Sequence, residues 1–137
     1  MKRRKRGKFG SRRCMIDGFT FDSQAEGLRY LELKLLVRAV EIKDLERQCG
    51  YKCLTIAPDG AAHPIGSYRA DFRYYDVGKG CVVVEDVKGR TPGRKGSGSV
   101  TPLFNWKKKH VEAQYDLVIE IVYRNGSDLP EGYKGTA

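Results

Sequence analysis

The chain has 137 residues, 40% of them hydrophobic, and 26 Lys and Arg against 17 Asp and Glu give a formal net charge of +9. That length supports one domain with a single core, and the positive excess points to a polyanionic partner such as nucleic acid. No stretch approaches the roughly 20 apolar residues of a membrane span, and no apolar segment follows the N-terminal charges as a secretory signal requires, so the expectation is a soluble protein of the cytoplasm.

The charge is unevenly spread. Eight basic residues fall within residues 1–13, which hold no acid, and the remaining 18 nearly balance the 17 acids. Such a run cannot bury enough apolar surface to order itself. Residues 1–13 are therefore expected to be a disordered arm in which Arg3, Arg4, Arg6, Arg12 and Arg13 contact nucleic-acid phosphates with salt-sensitive affinity; a solubility tail and a nuclear-localisation-like run are the alternatives. Met15 to Phe21 reads as two short strands about an Asp17-Gly18 turn. Ser23 opens a helix over residues 24–40, and Ser23 with Glu26 makes a capping box that is by itself a full explanation of Glu26. Leu28, Leu31 and Leu35 form one apolar stripe of that helix and Tyr30, Leu33 and Val37 a second. A helix apolar on two sides is expected to be sandwiched, either within the core or against a second copy of the chain.

Within Glu41 to Thr55, Ile42 with Leu45 and then Cys53 to Ile56 suggest two strands joined around Gly50-Tyr51. Pro58 to Gly66 reads as a loop with Asp59-Gly60 as its turn, carrying a solvated His63. Next comes the stretch with the most chemistry. Arg69 to Tyr75 and Cys81 to Lys88 flank a turn built on Gly78 and Gly80, the pattern of a β-hairpin. The first strand carries Asp71; the second ends in Glu85, Asp86, Val87 and Lys88. Alternation puts Asp86 and Lys88 on one face and Glu85 on the other unless a bulge intervenes. Two carboxylates on adjacent strands suit Mg²⁺, which takes one or two protein carboxylates and keeps waters, and a neighbouring lysine can stabilise charge developing on a phosphate. The plain alternative is that Asp71, Asp86 and Lys88 are solvated residues on the polar face of an ordinary hairpin.

Beyond the hairpin, GRTPGRKGSGSVT reads as a mobile basic loop in which Arg90, Arg94 and Lys95 touch a nucleic-acid backbone. It lacks the glycine and hydroxyl flanking the lysine of a phosphate-binding P-loop, so no nucleotide cofactor is expected. Thr101-Pro102 caps a helix running to about Ala113, with Leu103, Phe104 and Val111 toward the core, Lys107, Lys108 and Lys109 as a phosphate-contacting surface, and Trp106 packed rather than stacking on a base. Leu117 to Tyr123 is the last strand, and residues 125–137, rich in glycine, read as a flexible tail. Cys14, Cys49, Cys53 and Cys81 have no zinc-site spacing and are expected to be free thiols.

Asp71, fourteen intervening residues and then Asp86-Val87-Lys88 resemble the PD-(D/E)xK signature of the restriction-endonuclease-like nuclease superfamily. The blocks FDSQAEGLRYLELKLL, IKDLERQ, YRADFRYY, VVVEDVKG and FNWKKK, in order over residues 15 to 123, resemble short phage and prophage proteins of that superfamily, akin to phage endonuclease I resolvases. Ala70 stands where the name-giving proline would be. The resemblance implies an αβββαβ core, a central mixed sheet flanked by helices, over residues 14–124. It further implies a Mg²⁺-dependent endonuclease, with Mn²⁺ as substitute, in which Asp71 and Asp86 hold the metal together with Glu26 as third acid and the Val87 carbonyl. Lys88 would position the attacking water, with Glu85 replacing Asp86 if the strand is bulged. The implied substrate is branched DNA such as a Holliday junction, cut by a homodimer; a nicking or restriction-type nuclease and a non-cutting DNA-binding protein are the alternatives.

Overall fold

The computed structural model describes residues 12–90 and 100–133. Arg3, Arg4, Arg6, Arg94 and Lys95 lie outside these. Among the described residues the order is β1 (Cys14–Ile16), β2 (Phe19–Phe21), α1 (Gln24–Arg38), β3 (Ile42–Ile56), β4 (Ala62–Asp76), β5 (Cys81–Gly89), α2 (Pro102–Tyr115) and β6 (Ile119–Arg124), followed by two 3₁₀ turns. The protein is α/β, with a mixed four-stranded sheet in the order β3-β4-β5-β6 and a separate β1-β2 hairpin. The chain divides into two compact units, one made of residues 12–35, 87–90 and 122–133, the other of Leu36–Asp86 and Val100–Ile121.

In the first unit, Asp17 (φ 54°) and Gly18 (φ 78°) form the turn between β1 and β2, both in the left-handed region that a two-residue hairpin needs. Ser23 caps α1, its Oγ accepting the Glu26 amide at 3.1 Å. Only one side of α1 is well buried: Gly27, Tyr30 and Leu33 are in, whereas Leu28 and Leu31 are half-buried and Leu35 is 63% exposed. Among the described residues, therefore, nothing completes the expected sandwich, because the Leu28–Leu31–Leu35 stripe lacks full cover. Gly27 lets β1 approach closely: a Cβ there would meet Cys14 Sγ at 2.5 Å and Ile16 Cδ1 at 3.2 Å. Composition also misleads at the C-terminal end. Residues 126–128 and 131–133 form 3₁₀ turns, Asn125 caps the first, and Leu129 is buried at 1% exposure, so the glycine-rich segment is anchored through residue 133 instead of hanging loose.

In the second unit β3 is a single strand. Gly50 pairs with Arg69 inside it, so the expected break at Gly50-Tyr51 does not occur. The loop after it is short: the Ala57 amide bonds the Ala61 carbonyl at 2.8 Å, and β4 already begins at Ala62. Pro64 is accommodated because the register shifts between Cys53 and Leu54 opposite it, an irregularity of the kind that tolerates proline within a sheet. His63 is thus an exposed strand residue opposite Thr55. β4 and β5 form the expected hairpin, with Gly80 (φ 67°) donating to the Asp76 carbonyl at 2.8 Å.

α2 lies on β3 and β4 and closes a core of Tyr51, Cys53, Tyr68, Ala70, Val84, Val111 and Ile119. Thr101 Oγ1 accepts the Phe104 amide at 3.1 Å, with Pro102 in the first turn. The helix also covers the outer edge of β3. Gln114 accepts the Leu54 amide at 2.9 Å and donates to the Lys52 carbonyl at 3.0 Å, and the Tyr115 hydroxyl donates to that carbonyl at 2.8 Å.

Candidate functional site

Alternation along β4 buries Tyr68, Ala70, Phe72 and Tyr74 and leaves Arg69 exposed, with Asp71 and Arg73 half-buried between them. β5 is different: Val83, Val84, Glu85, Asp86 and Val87 are all buried in succession. Glu85 (1% exposed) and Asp86 (6%) are therefore carboxylates inside the protein, not solvated ends of a hairpin. Charged groups are stable there only with partners, and each has a tyrosine. The Tyr74 hydroxyl donates to Glu85 Oε1 and the Tyr68 hydroxyl to Asp86 Oδ2, both at 2.6 Å.

These two bonds carry topological information. Tyr68 and Tyr74 are six residues apart and would share a face of a regular strand, while the adjacent Glu85 and Asp86 would face opposite ways. The alternation thus breaks between them. Phe72 pairs with Glu85, whereas Tyr68 and Ala70 share a core with Val84, which pairs with Arg73, so the break falls in β4 at Asp71, opposite Asp86. β3 departs from regularity beside it: Gln48, in the gap between Arg47↔Phe72 and Cys49↔Ala70, has φ 54°. A non-glycine residue in the left-handed region of a strand is strained, and such strain concentrates at working sites. In the sequence Gln48 is only the last residue of the IKDLERQ block, because strain needs a backbone to be visible.

Asp71 bears on the same group as Asp86. Burial above all, then the charge and hydrogen bond of Asp86, then the charge of Asp71, push the Tyr68 phenol far above its ordinary range, so it stays a proton donor. Asp71, Glu85, Asp86 and Gln48 all belong to the second unit. Val87, buried, and Lys88, half-buried, continue β5 and belong to the first unit, to which the half-buried Glu26 in the first turn of α1 also belongs. Glu26 has a local electrostatic effect: after burial, its charge is the next cause raising the Cys14 thiol.

As to the metal, Mg²⁺ is satisfied by one or two carboxylates plus water and phosphate oxygens. Asp71 and Asp86 are the carboxylates that would supply such a half-site, the one acting on the Tyr68 hydroxyl by its charge and the other by its hydrogen bond. They do not make a closed cage: among the described residues no three His, Cys, Asp or Glu side chains are grouped as metal ligands, and the four cysteines are free.

The predicted phosphate contacts fare variously. Arg12 and Arg13 are exposed, Arg13 lying 3.5 Å from Asp22. Arg90 is exposed, its guanidinium 5.7 Å from the Tyr123 ring and its amide bonded to the Arg124 carbonyl at 2.9 Å. Lys108 is tied to both oxygens of Glu112 at 3.0 Å, while Lys109 is exposed and Lys107 half-buried. Two residues turn the other way from expectation. Leu103 is 61% exposed and Trp106 48%, because the phase that buries Val111 and sets Phe104 against Tyr68 leaves them on the outer side of α2.

Fold and site together define an α/β protein whose sheet carries two adjacent buried carboxylates held by tyrosines. It belongs to the family described as "Protein of unknown function (DUF1064)", whose model matches residues 6–125. The chain matches no curated protein and no solved structure. Among the described residues, no helix is long and apolar enough to cross a membrane.

Proposed function

We propose that this protein is a Mg²⁺-dependent DNA endonuclease with a restriction-endonuclease-like core, acting in the cytoplasm of a bacterial host on branched DNA. The observation that carries the reading is Asp86: a buried carboxylate fixed at 2.6 Å by the Tyr68 hydroxyl, which also feels the charge of Asp71, beside a break in strand alternation flanked by a strained Gln48. Structural carboxylates rarely need all of these at once. The Asp71…Asp86-Val87-Lys88 spacing supplies the remaining support.

Asp71 and Asp86 hold the cation, and the resemblance adds Glu26 and the Val87 carbonyl. A bound Mg²⁺ lowers the pKa of its water and neutralises phosphate charge. Tyr68 fixes the Asp86 rotamer, so that the carboxylate is set before substrate arrives. Lys88, two residues beyond Asp86, orients the attacking water and stabilises charge on the phosphate. Arg12, Arg13, Arg90, Lys107 and Lys109 give sequence-independent affinity for the backbone. A homodimer, joined through the incompletely covered Leu28–Leu31–Leu35 stripe of α1, would cut both strands symmetrically.

One observation favours a second reading. Glu85 and Asp86 are each already satisfied by a tyrosine, and no three-acid cluster is present among the described residues, which suits a DNA-binding protein that cuts nothing. The deciding experiment compares wild type, Asp71→Asn and Lys88→Ala on labelled four-way junction, linear duplex and single strand, with Mg²⁺, Mn²⁺ or chelator. Symmetric junction cuts lost in both variants and in chelator support the resolvase. Cutting of linear duplex instead moves the assignment to a nicking or restriction-type enzyme, and binding without cutting under every metal leaves the binding protein.

A further inference from the structure

We propose that the outer face of α2 centred on Trp106 is a stacking platform for unpaired nucleobases. The inference rests on the nucleic-acid partner of the function proposed above and adds how single-stranded segments would be recognised. Leu103, Trp106, Lys109 and His110 are three or four positions apart and share one face of the helix. Leu103 is 61% exposed, Trp106 48%, and Lys109 is exposed beside them.

The indole is held, not loose. Its ring stacks on His110 with centroids 5.3 Å apart and planes tilted by 30°. His110 is anchored in turn, its Nε2 lying 3.0 Å from the Leu54 carbonyl and 3.1 Å from Gln114 Oε1. The indole thus lies against an anchored neighbour while nearly half of the residue stays open, the preorganisation that suits a base-stacking site.

Charge selects the occupant. Lys109 shares the face of the indole, Lys107 follows it in the chain, and Lys108 is neutralised by Glu112. A second copy of this chain docked by the same face would set these lysines against their own kind, a like-charge contact. A single strand brings phosphates to the lysines and a π-face to the indole. A closed duplex offers the phosphates but keeps its base faces stacked on one another.

Trp106 is the chain's single tryptophan, so its emission reports on this face alone. The test titrates the full-length protein, in chelator at low salt, with a short thymidine oligonucleotide and with a duplex of equal length, following tryptophan emission and, separately, polarisation of a labelled oligonucleotide. The single strand is expected to quench the emission and the duplex to bind with little quenching. Trp106→Ala should weaken the single strand about five- to one-hundred-and-fifty-fold, the loss of one stacked base, and leave the duplex little changed, while Trp106→Phe keeps most of the single-strand affinity. The side chain is half exposed, and circular dichroism checks that the variants fold. Single-strand binding without quenching overturns the platform, as does equal weakening of both ligands. So does sedimentation showing that Trp106→Ala dissociates a dimer with oligonucleotide affinity unchanged. A failed platform with intact Asp71-dependent cutting leaves the nuclease standing; quenching without cutting under any metal removes the nuclease and keeps the platform.

Discussion

Replacing Tyr68 by phenylalanine tests whether the tyrosine–carboxylate bond holds the candidate site together. The ring stays, and with it the packing against Tyr51 at 6.4 Å and Phe104 at 6.3 Å between centroids. Only the hydroxyl is lost, leaving one Asp86 oxygen without that donor. Tyr68 and Asp86 are each 6% exposed, so solvent cannot replace the bond easily. A hydrogen bond to a charged group contributes about 1.5–3 kcal/mol, and burial places the expected loss near 2 kcal/mol. For a chain of this length, that lowers the melting temperature by about 8 °C. The assay is urea denaturation of wild type, Tyr68→Phe, Asp86→Asn and the double variant. The cycle should return a coupling of about 1 kcal/mol or more; a coupling below about 0.3 kcal/mol would refute the bond as a structural element. The pH dependence is also fixed in sign. Because the folded-state phenol titrates above its unfolded value, its stabilisation is complete below about pH 10 and is lost as pH rises further. The gap between wild type and Tyr68→Phe should therefore close in alkali, and Tyr68 should resist ionisation in a spectrophotometric titration.

Gly27→Ala sets helix propensity against space: alanine in a helix interior gains about 0.5–1 kcal/mol, but its Cβ would sit 2.5 Å from the buried Cys14 Sγ. Overpacking of about 1–3 kcal/mol wins, so melting should fall, and adding Cys14→Ala should restore much of the loss. Glu32 is held below its ordinary carboxylate range first by the hydrogen bond from Arg124 (2.7 and 2.9 Å) and further by Arg29 (2.9 Å). The stabilisation is thus present above the unfolded value near 4.5 and lost as pH falls through the depressed one. The group is a third exposed, which keeps the effect to no more than about 1 kcal/mol; denaturation of Glu32→Gln should lie below wild type at pH 6 and converge on it toward pH 3. Lys88→Ala should abolish junction cutting while gel-shift affinity stays near that of wild type; equal loss of both would remove its proposed role.

The local signals in the sequence were legible because they act over a few residues. Asp17-Gly18 demanded two left-handed residues and has them; Ser23 and Thr101-Pro102 mark true helix starts; Gly78 and Gly80 bracket a true hairpin turn. Glycine and proline were over-read where tertiary pairing absorbs them, as with Gly50 inside β3 and Pro64 at a register shift. Leu129 was hidden by its company: one apolar side chain among glycines and polar residues anchors a segment that composition would leave loose. At the candidate site the sequence offered Asp71, Glu85 and Asp86, but not the tyrosines that hold two of them or the strain at Gln48. Those depend on which residues stand across from one another, and in this sheet the alternation that would predict it breaks there.

The edge of β3 has a consequence for how this protein behaves when concentrated. A sheet in the order β3-β4-β5-β6 has β3 at its margin, where free amides and carbonyls invite another chain to add a strand. At Lys52 and Leu54 the Gln114 side-chain amide, one acceptor and one donor, already occupies the places a visiting backbone would take. The helix thus supplies a one-residue counterfeit of a neighbouring strand, and Gln114, which also holds His110, blocks strand addition at that point of the edge.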